Sequence, residues 1–360
     1  MSQPVADQVS QFFADMRERH AIYLRRQAGQ PWPWTDDWVM QEYSITNPFR
    51  ENDKTTRWLR THVREPLRSK PEVLLAIATF RWFNRITTGE AIFSQMGWIR
   101  SEIGGITKNY DCETAWNVFL ETGDITVLRN AITEYCGSGP YVTGSYIIQG
   151  WRGYNKLDGV LKCIENFHTG VWDFDANPAA GCKYGWMDVA LYLLEHRGQV
   201  SLEQTWNFLR KIPYLGDFMA HEIVQDLRYT DLLCDAPDIM TWSNPGPGAE
   251  RGLARIYGRD ITGNIVSKTP KAQLIEEMRE LLELSRNARY WPQRDGNSWV
   301  TRGYGLSNVV NSKVTDVWMI AEDAWPILEL HQIEMWLCEF QKITKARTGE
   351  GRPRGKYRHK

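Results

Sequence analysis

Four side chains that could do chemistry recur at helical spacing near the C-terminus of this 360-residue chain. They are His331, Glu334, Cys338 and Lys342, at intervals of three, four and four residues. Residues three and four apart lie on one face of an α-helix, so the four would form a row. Such a row could supply a general base in Glu334 and a thiol nucleophile in Cys338. The alternative is a half-buried polar stripe without a catalytic role.

The segment 212–220, IPYLGDFMA, is the most specific local signal. It resembles the hairpin of a helix-hairpin-helix, usually written L-P-G-V-G-x-x-T-A, with Gly216 at the second glycine and Tyr214 in place of the first. In that motif the turn glycines let backbone N–H groups approach a DNA phosphate, and the following helix presents its positive N-terminal end. Gly216 and Asp217 are therefore candidate DNA-binding residues. The alternative is an ordinary helical hairpin.

Two acids, Asp235 and Asp238, follow the hairpin glycine by 19 and 22 residues. In helix-hairpin-helix glycosylases a catalytic Asp follows the second glycine by a similar distance, so either carboxylate could act as a general base. The alternative is that both cap the helix entered near residue 249 or bind its glycine turn. The Lys of bifunctional glycosylases would fall at Phe218, so lyase chemistry through a Schiff base is disfavoured. Asp226 lies nearer the hairpin and is expected on a helix surface or close to DNA.

Arginines and backbone amides provide candidate anion sites. Arg81, Asn84 and Arg85 would share one face of a very apolar helix, where they could bind an anion or a base, or form internal salt bridges. The glycine turn at 246–248 leads into a helix that carries Arg251. Such a turn can offer several N–H groups to an anion, or it can serve only to cap the helix.

Two further segments stand out by composition. NPFRENDK is a dense polar group that contains Asn47, Arg50, Asp53 and Lys54. The glycine stretch at 139–145 superficially resembles a phosphate-binding loop. It lacks the Lys that must reach the phosphates, so we reject ATP binding there.

The C-terminal residues concentrate positive charge. Residues 342–360 hold eight Lys and Arg against one Glu, although the whole chain has a net charge of −1. A glycine-containing basic tail is typical of a contact with a polyanion, and it makes Lys356 and Arg358 candidate DNA-binding residues. The tail could also be a solubilising terminus, or an ordered loop from which Arg352 reaches a phosphate.

Helical periodicity predicts most of the elements that position these residues. The predicted helices cover 73–86, 189–197, 202–211, 219–228, 271–285 and 328–345. Pro326 is expected to divide the run 314–340 into two helices. Period-2 alternation is scarce, and 142–149 is the best candidate for a strand, although it could equally be a buried turn.

Composition limits the class of protein. With 42% hydrophobic and 24% charged residues, the chain is typical of a soluble globule, and no run reaches the roughly 18 apolar residues of a membrane helix. The N-terminus lacks the pattern of a secretory signal, which favours a cytoplasmic location. The six cysteines show no metal-binding spacing, and we expect neither metal nor cofactor. We predict one mainly α-helical domain over 1–345, with two possible lobes meeting near 150–200, and a basic tail at 346–360.

Five blocks together resemble one family. They are FRWFNRITTGEAIF (80–93), YVTGSYII (141–148), IPYLGDFMAHEIVQDLRYT (212–230), GPGAERGL (246–253) and IEMWLCEFQK…GEGRPRGKY (333–357). In this order they resemble the helical, DNA-glycosylase-like family of bacteriophage thymidine hypermodification. Its members include the amino acid:DNA transferases, the alpha-glutamyl/putrescinyl thymine pyrophosphorylases and the helical domain of 5-hydroxymethyluracil DNA kinases. The resemblance implies a helical DNA-glycosylase-like fold over nearly the whole chain.

The resemblance also implies a step in the modification of DNA that already contains 5-hydroxymethyl-deoxyuridine, which protects viral DNA from host restriction. A kinase phosphorylates the hydroxymethyl group, and a transferase then displaces phosphate or pyrophosphate with the amine of an amino acid such as glycine. Kinase members carry a P-loop domain, which this sequence lacks, so the resemblance favours the transferase. The implied partners are double-stranded DNA with modified thymidine and a free amino acid, with no membrane.

This chemistry gives the candidate residues expected roles. The target base must leave the helical stack, which a glycosylase-like scaffold can arrange by base flipping. The candidates for stabilising the departing phosphate are Arg81, Arg85, Arg251 and Arg352. The candidates for accepting the proton of the amine are Asp235, Asp238 and Glu334. Cys338 could add to C6 of the pyrimidine. The alternatives are a DNA glycosylase and a non-catalytic DNA-binding component of the pathway.

Overall fold

The computed structural model describes residues 3–175, 183–262, 265–266, 269–286, 292–295, 298–301, 309–310, 325–326, 328–353 and 355–356. Backbone contacts divide the chain into two compact units. The first unit consists of Met1–Asp53 and Ile239–Lys360, and the second unit is Lys54–Asp238. The second unit is therefore inserted in the sequence of the first.

Helices make up most of the regular structure. In chain order they are α1 (Ala6–Gln27), α2 (Trp38–Glu42), α3 (Lys54–Leu59), α4 (Val73–Phe83), α5 (Ile86–Phe93), α6 (Ala115–Thr122), α7 (Ile125–Cys136), α8 (Lys156–Thr169), α9 (Trp186–Glu195), α10 (Leu202–Leu209), α11 (Gly216–Leu227), α12 (Pro247–Ile256), α13 (Lys271–Leu284) and α14 (Leu330–Arg347). A 3-10 turn at Arg50–Asn52 precedes α3, and a π-helical turn at Arg60–Arg64 follows it.

The strands form two-stranded pairs. They are β1 (Met96–Ile103), β2 (Ile106–Thr114), β3 (Ile261–Thr262), β4 (Ile265–Val266), β5 (Pro292–Asp295), β6 (Ser298–Thr301), β7 (Val309–Val310) and β8 (Trp325–Pro326). β1 pairs with β2, β3 with β4 and β5 with β6, each antiparallel, and β7 pairs with β8 in parallel. The longest pair, β1–β2, is a hairpin whose side chains are mostly exposed.

In the first unit, α14 contributes an apolar face to the core. Ile333, Trp336, Leu337 and Phe340 are fully buried in one cluster with residues of α1, α2, α12 and α13. The indole N–H of Trp336 donates to the carbonyl of Phe12, 2.9 Å away, which satisfies a polar group that burial would otherwise penalise. The hydrophobic effect thus fixes the rotation of α14, and its opposite face is left for polar residues.

Two glycines let α12 approach α14 closely. A Cβ on Gly252 would lie 2.5 Å from the carbonyl oxygen of Leu337, and a Cβ on Gly248 would lie 2.5 Å from Sγ of Cys338. Real side chains do not tolerate such distances, so both positions require glycine. This contact holds the start of α12 against the polar face of α14.

We predict that Gly252→Ala lowers the free energy of unfolding by about 1–3 kcal/mol, because the added methyl group meets rigid backbone. Urea denaturation measures this loss. Gly144→Ala is the control, since no described atom lies within 4 Å of its added Cβ. Equal stability of the two variants would contradict the close contact of α12 with α14.

In the second unit, α4 is the central helix. All eleven of its residues are buried, including the charged Arg81, and α11 packs against it. The ring of Phe80 stacks on Trp58 of α3 at 5.2 Å. A charge on a helix that is buried on every side requires a buried partner, which α11 provides.

The prediction of a mainly α-helical fold is confirmed. The helices predicted at 189–197, 202–211, 219–228, 271–285 and 328–345 correspond to α9, α10, α11, α13 and α14, with ends that differ by a few residues. The strand prediction at 142–149 was wrong, because these residues, all described, form an irregular loop. The exposed hairpin β1–β2 was not predicted, because it lacks the apolar alternation of a half-buried strand.

Other boundaries also differ from the predictions. The helix predicted at 73–86 ends at Phe83, where Asn84 adopts a left-handed conformation with φ of 45°. Pro326 lies in β8, and residues 311–324 of the run it was expected to divide lie outside the described residues. The two units divide at 53/54 and 238/239. The single domain over 1–345, with its two possible lobes and the basic tail at 346–360, stays a prediction. Among the described helices, none is long and apolar enough to cross a membrane.

Candidate active site

The polar face of α14 carries the predicted row of residues in the first unit. Glu334 and His331 are buried, Cys338 is partly buried, and the ammonium of Lys342 is exposed. Nζ of Lys342 lies 2.6 Å from Oε1 of Glu339, which is itself buried. His331 lies 3.4 Å from the carboxylate of Glu329. The helix therefore brings a thiol, two carboxylates and a cation into one neighbourhood.

The Gly246 turn is held by Glu334, whose Oε1 accepts the N–H of Gly246 at 3.2 Å. The sequence predicted this turn as an anion site. In the structure, the first N–H group of the turn already donates to the carboxylate of Glu334. Arg251, one turn into α12, keeps a buried Nε with no hydrogen-bond partner among the described residues. The predicted anion site had two elements, the Gly246 turn and Arg251. Because the turn already binds Glu334, Arg251 is the better placed of the two to bind an external phosphate.

The thiol of Cys338 lies against the backbone of Gly248. Burial raises the pKa of Cys338 well above its ordinary value, and the carboxylates of Glu334 and Glu339 raise it further. Lys342 and Arg251 act in the opposite direction but do not reverse the shift. The thiol is therefore protonated at neutral pH. This does not favour the predicted role of Cys338 as a nucleophile, because the thiolate is the reactive form.

A second polar group lies in the same unit, on the loop before the second unit begins. The backbone N–H of Asn47 donates to Oδ1 of Asp53 at 3.3 Å, and Oδ1 of Asn47 accepts from the N–H of Phe49 and from Nδ2 of Asn52, at 2.8 and 3.4 Å. Nε of Arg19, on α1, donates to the carbonyl of Ile45 at 2.6 Å. These bonds fold the polar segment NPFRENDK into a compact loop against α1.

Glu339 links this loop to the row on α14. Its Oε2 accepts the N–H of Thr46 at 3.3 Å, while Oε1 pairs with Lys342. Its charge also acts on both Asp53 and Cys338. The loop and the helix row thus form one cluster of acids and bases, which we call the loop–α14 cluster: Arg19, Asn47, Asn52, Asp53, Glu334, Cys338, Glu339 and Lys342.

Asp53 has the most informative protonation behaviour in the loop–α14 cluster. Burial raises the pKa of Asp53 to about 6, and Glu339 adds to the rise, whereas Arg19, the N–H of Asn47 and Arg50 lower it. A carboxyl group that titrates near neutral pH can both accept and return a proton during a reaction. The sequence drew attention to Asp53 only as part of a dense polar group, and it gave no role to Arg19 or Glu339. Arg19 contacts Ile45 across 26 positions and Glu339 contacts Thr46 across 293, so only the density of NPFRENDK could have indicated them.

In the second unit, Arg81 is held by an internal partner. Its Nε and Nη2 donate to the two carboxylate oxygens of Asp226 at 2.5 and 2.8 Å, and Nη1 donates to Oδ1 of Asn84 at 2.7 Å. Nη1 of Arg64 lies 3.8 Å from the same carboxylate. The expectation that Asp226 lies on a helix surface was wrong, because only 1% of it is exposed. A buried acid here neutralises two arginines.

The predicted shared face of Arg81 and Arg85 does not exist, because α4 ends between them. Arg85 precedes α5 as its N-cap, and its Nε donates to Oγ1 of Thr87 at 3.1 Å. The left-handed Asn84 turns the chain away from the helix axis. The two arginines and Asn84 stay candidates for substrate binding only as separate groups, and Arg81 is already engaged by Asp226.

The predicted catalytic acids of the second unit have local structural partners. Both oxygens of Asp238 accept the N–H groups of Leu202 and Glu203, at 2.7 and 3.0 Å, so Asp238 caps the start of α10. Asp235 pairs with Nε of Arg197 at 2.7 Å, with about half of each side chain exposed. The expected alternative, a helix cap, thus applies to Asp238, although at α10 instead of α12. A catalytic role for Asp235 or Asp238 stays a prediction.

The hairpin between α10 and α11 has two residues in the left-handed region. Gly216 has φ of 59° and Tyr214, at the position of the first glycine of the motif, has φ of 68°. No described atom lies within 4 Å of a Cβ built on Gly216, so its backbone is open on that side. Oδ1 of Asp217 accepts from Nε of Arg210 at 2.8 Å, so this acid positions a cation next to the turn.

The basic tail is ordered over its described part. Nζ of Lys356 lies 2.7 Å from Glu42, and the carbonyl of Gly355 accepts the N–H of Ser44 at 2.9 Å. Arg352 is exposed and close enough to Glu42 to lower the pKa of that carboxyl, after the larger effect of Lys356. Arg358 lies outside the described residues. Of the alternatives for the tail, the ordered loop is the one found for these residues.

Comparison with known proteins identifies the family to which the chain belongs. The family model for the helical domain of 5-hmdU DNA kinase matches residues 5–121 and 193–352. A 5-hmdU DNA kinase of Bacillus phage SP10 is 25% identical over 268 residues, which cover 68% of this chain and 36% of that protein. The matched region thus spans about a third of the length of this relative. No solved structure gives a significant match.

Proposed function

Because this chain belongs to the family of the helical domain of 5-hmdU DNA kinases, we propose that it acts on DNA in phage thymidine hypermodification. The reaction is the transfer of a free amino acid, such as glycine, to 5-hydroxymethyl-deoxyuridine that already carries a phosphate in double-stranded DNA. This proposal extends the family resemblance by one specific activity. The relative from phage SP10 carries the name of a kinase, and transfer is the step that follows phosphorylation.

The reaction sets clear demands on the site. The amine nitrogen forms a bond to the C5 methylene carbon, and the bond from that carbon to the phosphate oxygen breaks. Phosphate departs with the bonding electron pair, and one proton must leave the attacking nitrogen. A general base is therefore needed beside the amine, and cationic groups are needed beside the departing phosphate.

The observation that carries the proposal is the loop–α14 cluster together with Arg251, whose charge acts on Cys338 of that cluster. Together they contain both kinds of group. Asp53 is the proposed base, since it is ionised in a large fraction of molecules at neutral pH and lies beside Arg19. Arg251 is the proposed phosphate ligand, since its buried Nε lacks a hydrogen-bond partner among the described residues. Glu334 positions the Gly246 turn, and Cys338 lines the site as a neutral thiol.

DNA binding is assigned to the hairpin of the second unit. Its left-handed Tyr214 and Gly216 support the resemblance to a helix-hairpin-helix, because that motif uses glycines at both positions. The first N–H groups of α11 have no partners within the helix, and they carry the positive end of its dipole. Arg210, fixed by Asp217, adds a cation at the same place.

We predict that Gly216→Ala weakens DNA binding at every DNA sequence and reduces the slope of log affinity against log salt by about 1, the value for one lost phosphate contact. The added methyl group would occupy the open side that a phosphate must approach. Fluorescence anisotropy over a salt series measures both quantities. Gly29→Ala is a matched control, because Gly29 also has a left-handed φ of 70° and an open Cβ position, and it lies in the first unit. Identical behaviour of the two variants would contradict a phosphate at the hairpin.

The proposed activity is tested by release of inorganic phosphate from a duplex that contains phosphorylated 5-hydroxymethyl-deoxyuridine. We expect release only when an amino acid is present. Abasic sites without amino-acid dependence would instead identify a DNA glycosylase. DNA binding without any product would identify a non-catalytic component of the pathway. Either of these two results would overturn the proposed transfer.

A further inference from the structure

The loop–α14 cluster contains polar atoms that the protein itself does not satisfy. Nη1 of Arg19, Nδ2 of Asn47 and Oδ1 of Asn52 are buried and have no hydrogen-bond partner among the described residues. The three residues are 8%, 1% and 4% exposed. An unsatisfied buried donor or acceptor costs roughly 1–3 kcal/mol, so three of them in one place require an explanation.

The three residues that carry these atoms belong to one hydrogen-bonded group. Asn52 donates to Asn47 at 3.4 Å, Asn47 donates through its backbone to Asp53 at 3.3 Å, and Arg19 holds the carbonyl of Ile45, two residues before Asn47. They come from α1 and from the polar loop, so the fold assembles them from distant parts of the first unit. A different orientation of the Asn47 amide would not resolve the problem, because its oxygen already accepts two hydrogen bonds.

The chemistry of the unsatisfied atoms has two parts. Nη1 of Arg19 and Nδ2 of Asn47 are donors, suited to a carboxylate, whereas Oδ1 of Asn52 is an acceptor, suited to an ammonium group. Asp53, bonded to the Asn47 backbone, adds an anionic acceptor on the same loop. A ligand that satisfies all of them must carry a carboxylate and an amine a short distance apart.

We propose that Arg19, Asn47, Asn52 and Asp53 form the binding site for the free α-amino acid, with its carboxylate on Arg19 and Asn47 and its amine on Asn52 and Asp53. This inference rests on the proposed function, since it identifies the site of the second substrate. A simple anion such as phosphate would satisfy the two donors, but it would place a negative charge next to Asn52 and Asp53. A zwitterion matches both halves.

The proposed site also explains how the amino acid is deprotonated and which size of amino acid can bind. The ammonium group of the amino acid must lose a proton before it attacks, and the carboxylate of Asp53 beside it is the proposed acceptor. Because the three unsatisfied atoms are inaccessible to solvent, the bound amino acid is compact, and it enters by a local opening of the 44–53 segment. Glycine is therefore the probe of choice.

The first experiment measures binding without DNA, by isothermal titration calorimetry of the full chain with glycine. Glycinamide lacks the carboxylate and acetate lacks the amine, so we expect each to bind at least 10-fold more weakly than glycine. Equal binding of glycine and acetate would overturn the inference in favour of a simple anion site. Absence of glycine binding, with and without duplex DNA, would overturn it altogether.

Variants locate the site. We expect Arg19→Lys to weaken glycine binding by 10- to 100-fold, because the ammonium group lacks the planar fork with which the guanidinium holds the Ile45 carbonyl through Nε and presents Nη1 to a carboxylate. Arg25→Lys is the matched control on the same helix, since the guanidinium of Arg25 already bonds Glu18 and the carbonyl of Trp34. Equal affinities of these two variants would overturn the assignment to Arg19.

Asn52→Leu is a second variant that does not depend on the stability of Arg19→Lys. It removes an unsatisfied acceptor together with a long hydrogen bond of 3.4 Å to Asn47, whose oxygen keeps the N–H of Phe49, so we expect an unfolding temperature close to that of the wild type in the absence of ligand. We also expect it to lose the stabilisation that glycine gives the wild type. Retention of that glycine-dependent shift would overturn the role of Asn52.

Failure of this inference can be told from failure of the proposed function. If the protein transfers glycine to DNA while Arg19→Lys and Asn52→Leu keep the wild-type KM for glycine, the site is wrong and the function stands. If glycine binds and both variants abolish binding, but no DNA product forms, the site stands and the proposed transfer fails.

Discussion

Asp53→Asn is expected to lower the rate constant of amino-acid transfer by roughly 100- to 10,000-fold, the usual worth of a general base. The amide has the same shape and still accepts the N–H of Asn47, but it cannot take the proton of the attacking amine. DNA affinity is expected to stay unchanged, because we assign it to the hairpin of the second unit. Single-turnover kinetics on phosphorylated duplex, with saturating glycine, measure the rate constant.

The pH dependence of kcat/KM provides an independent test of Asp53 as the general base. Only ionised Asp53 can accept a proton, and burial raises its pKa to about 6 against the opposing effects of Arg19, the Asn47 N–H and Arg50, with Glu339 adding to the rise. The wild-type kcat/KM is therefore expected to increase with pH up to about 6 and to level off above it. The Asn variant is expected to lack this step.

Asp235→Asn and Asp238→Asn are the informative comparisons for Asp53, because the sequence made both acids, with Glu334, candidates for the general base. Asp238 caps α10 and Asp235 pairs with Arg197, so we expect changes in stability of at most about 2 kcal/mol and normal turnover of the folded protein. A normal rate for Asp53→Asn together with a large loss in either of the other two would return the catalytic role to the second unit.

Asp226→Asn is expected to lower the free energy of unfolding by about 3–5 kcal/mol, the cost of breaking a buried ion pair by removal of one partner. Arg81 donates two hydrogen bonds to this carboxylate, and Arg64 lies within 4 Å of it, so the change removes a negative charge that two buried guanidinium groups face. Urea denaturation followed by circular dichroism measures the loss.

The exposed pair of Lys108 and Glu121 gives the control for Asp226. Glu121→Gln is expected to leave the free energy of unfolding nearly unchanged, because solvent screens this interaction. The double variant Arg81→Gln/Asp226→Asn is expected to recover part of the loss, since it also removes one uncompensated charge. Normal stability with lost activity in Asp226→Asn would mean that the buried pair serves the substrate, as was first expected for Arg81.

Local patterns were the part of this protein that its sequence could predict. The polar row of α14 could be predicted because it lies within one helix: His331, Glu334, Cys338 and Lys342. Apolar positions between these residues form the face of α14 that packs in the core. The helices on both sides of the hairpin were likewise predicted from periodicity and from the turn residues around Gly216. In each case the sequence pattern and the helix or turn that it predicts involve the same short stretch of residues.

Long-range pairing was beyond the reach of the sequence. Asp226 meets Arg81 across 145 residues, and Asp238 caps a helix that begins 36 residues before it, so neither partner is visible in a local pattern. The end of α4 depends on the left-handed Asn84, which changed the relation of Arg81 to Arg85. The amino-acid site proposed on Arg19 and Asn47 depends on which polar atoms are left unsatisfied after folding, and composition does not reveal that.

The most direct test of the central claim is the mass of the nucleosides released from a duplex that contains phosphorylated 5-hydroxymethyl-deoxyuridine, after incubation with the protein and ¹⁵N-labelled glycine. We predict a nucleoside in which the glycine nitrogen is joined to the C5 methylene carbon and the phosphate is lost. Its mass should be higher than that of the product from unlabelled glycine by the mass of the label. Recovery of only the phosphorylated nucleoside across a complete set of amino acids, under conditions where the protein binds the duplex, would contradict the account.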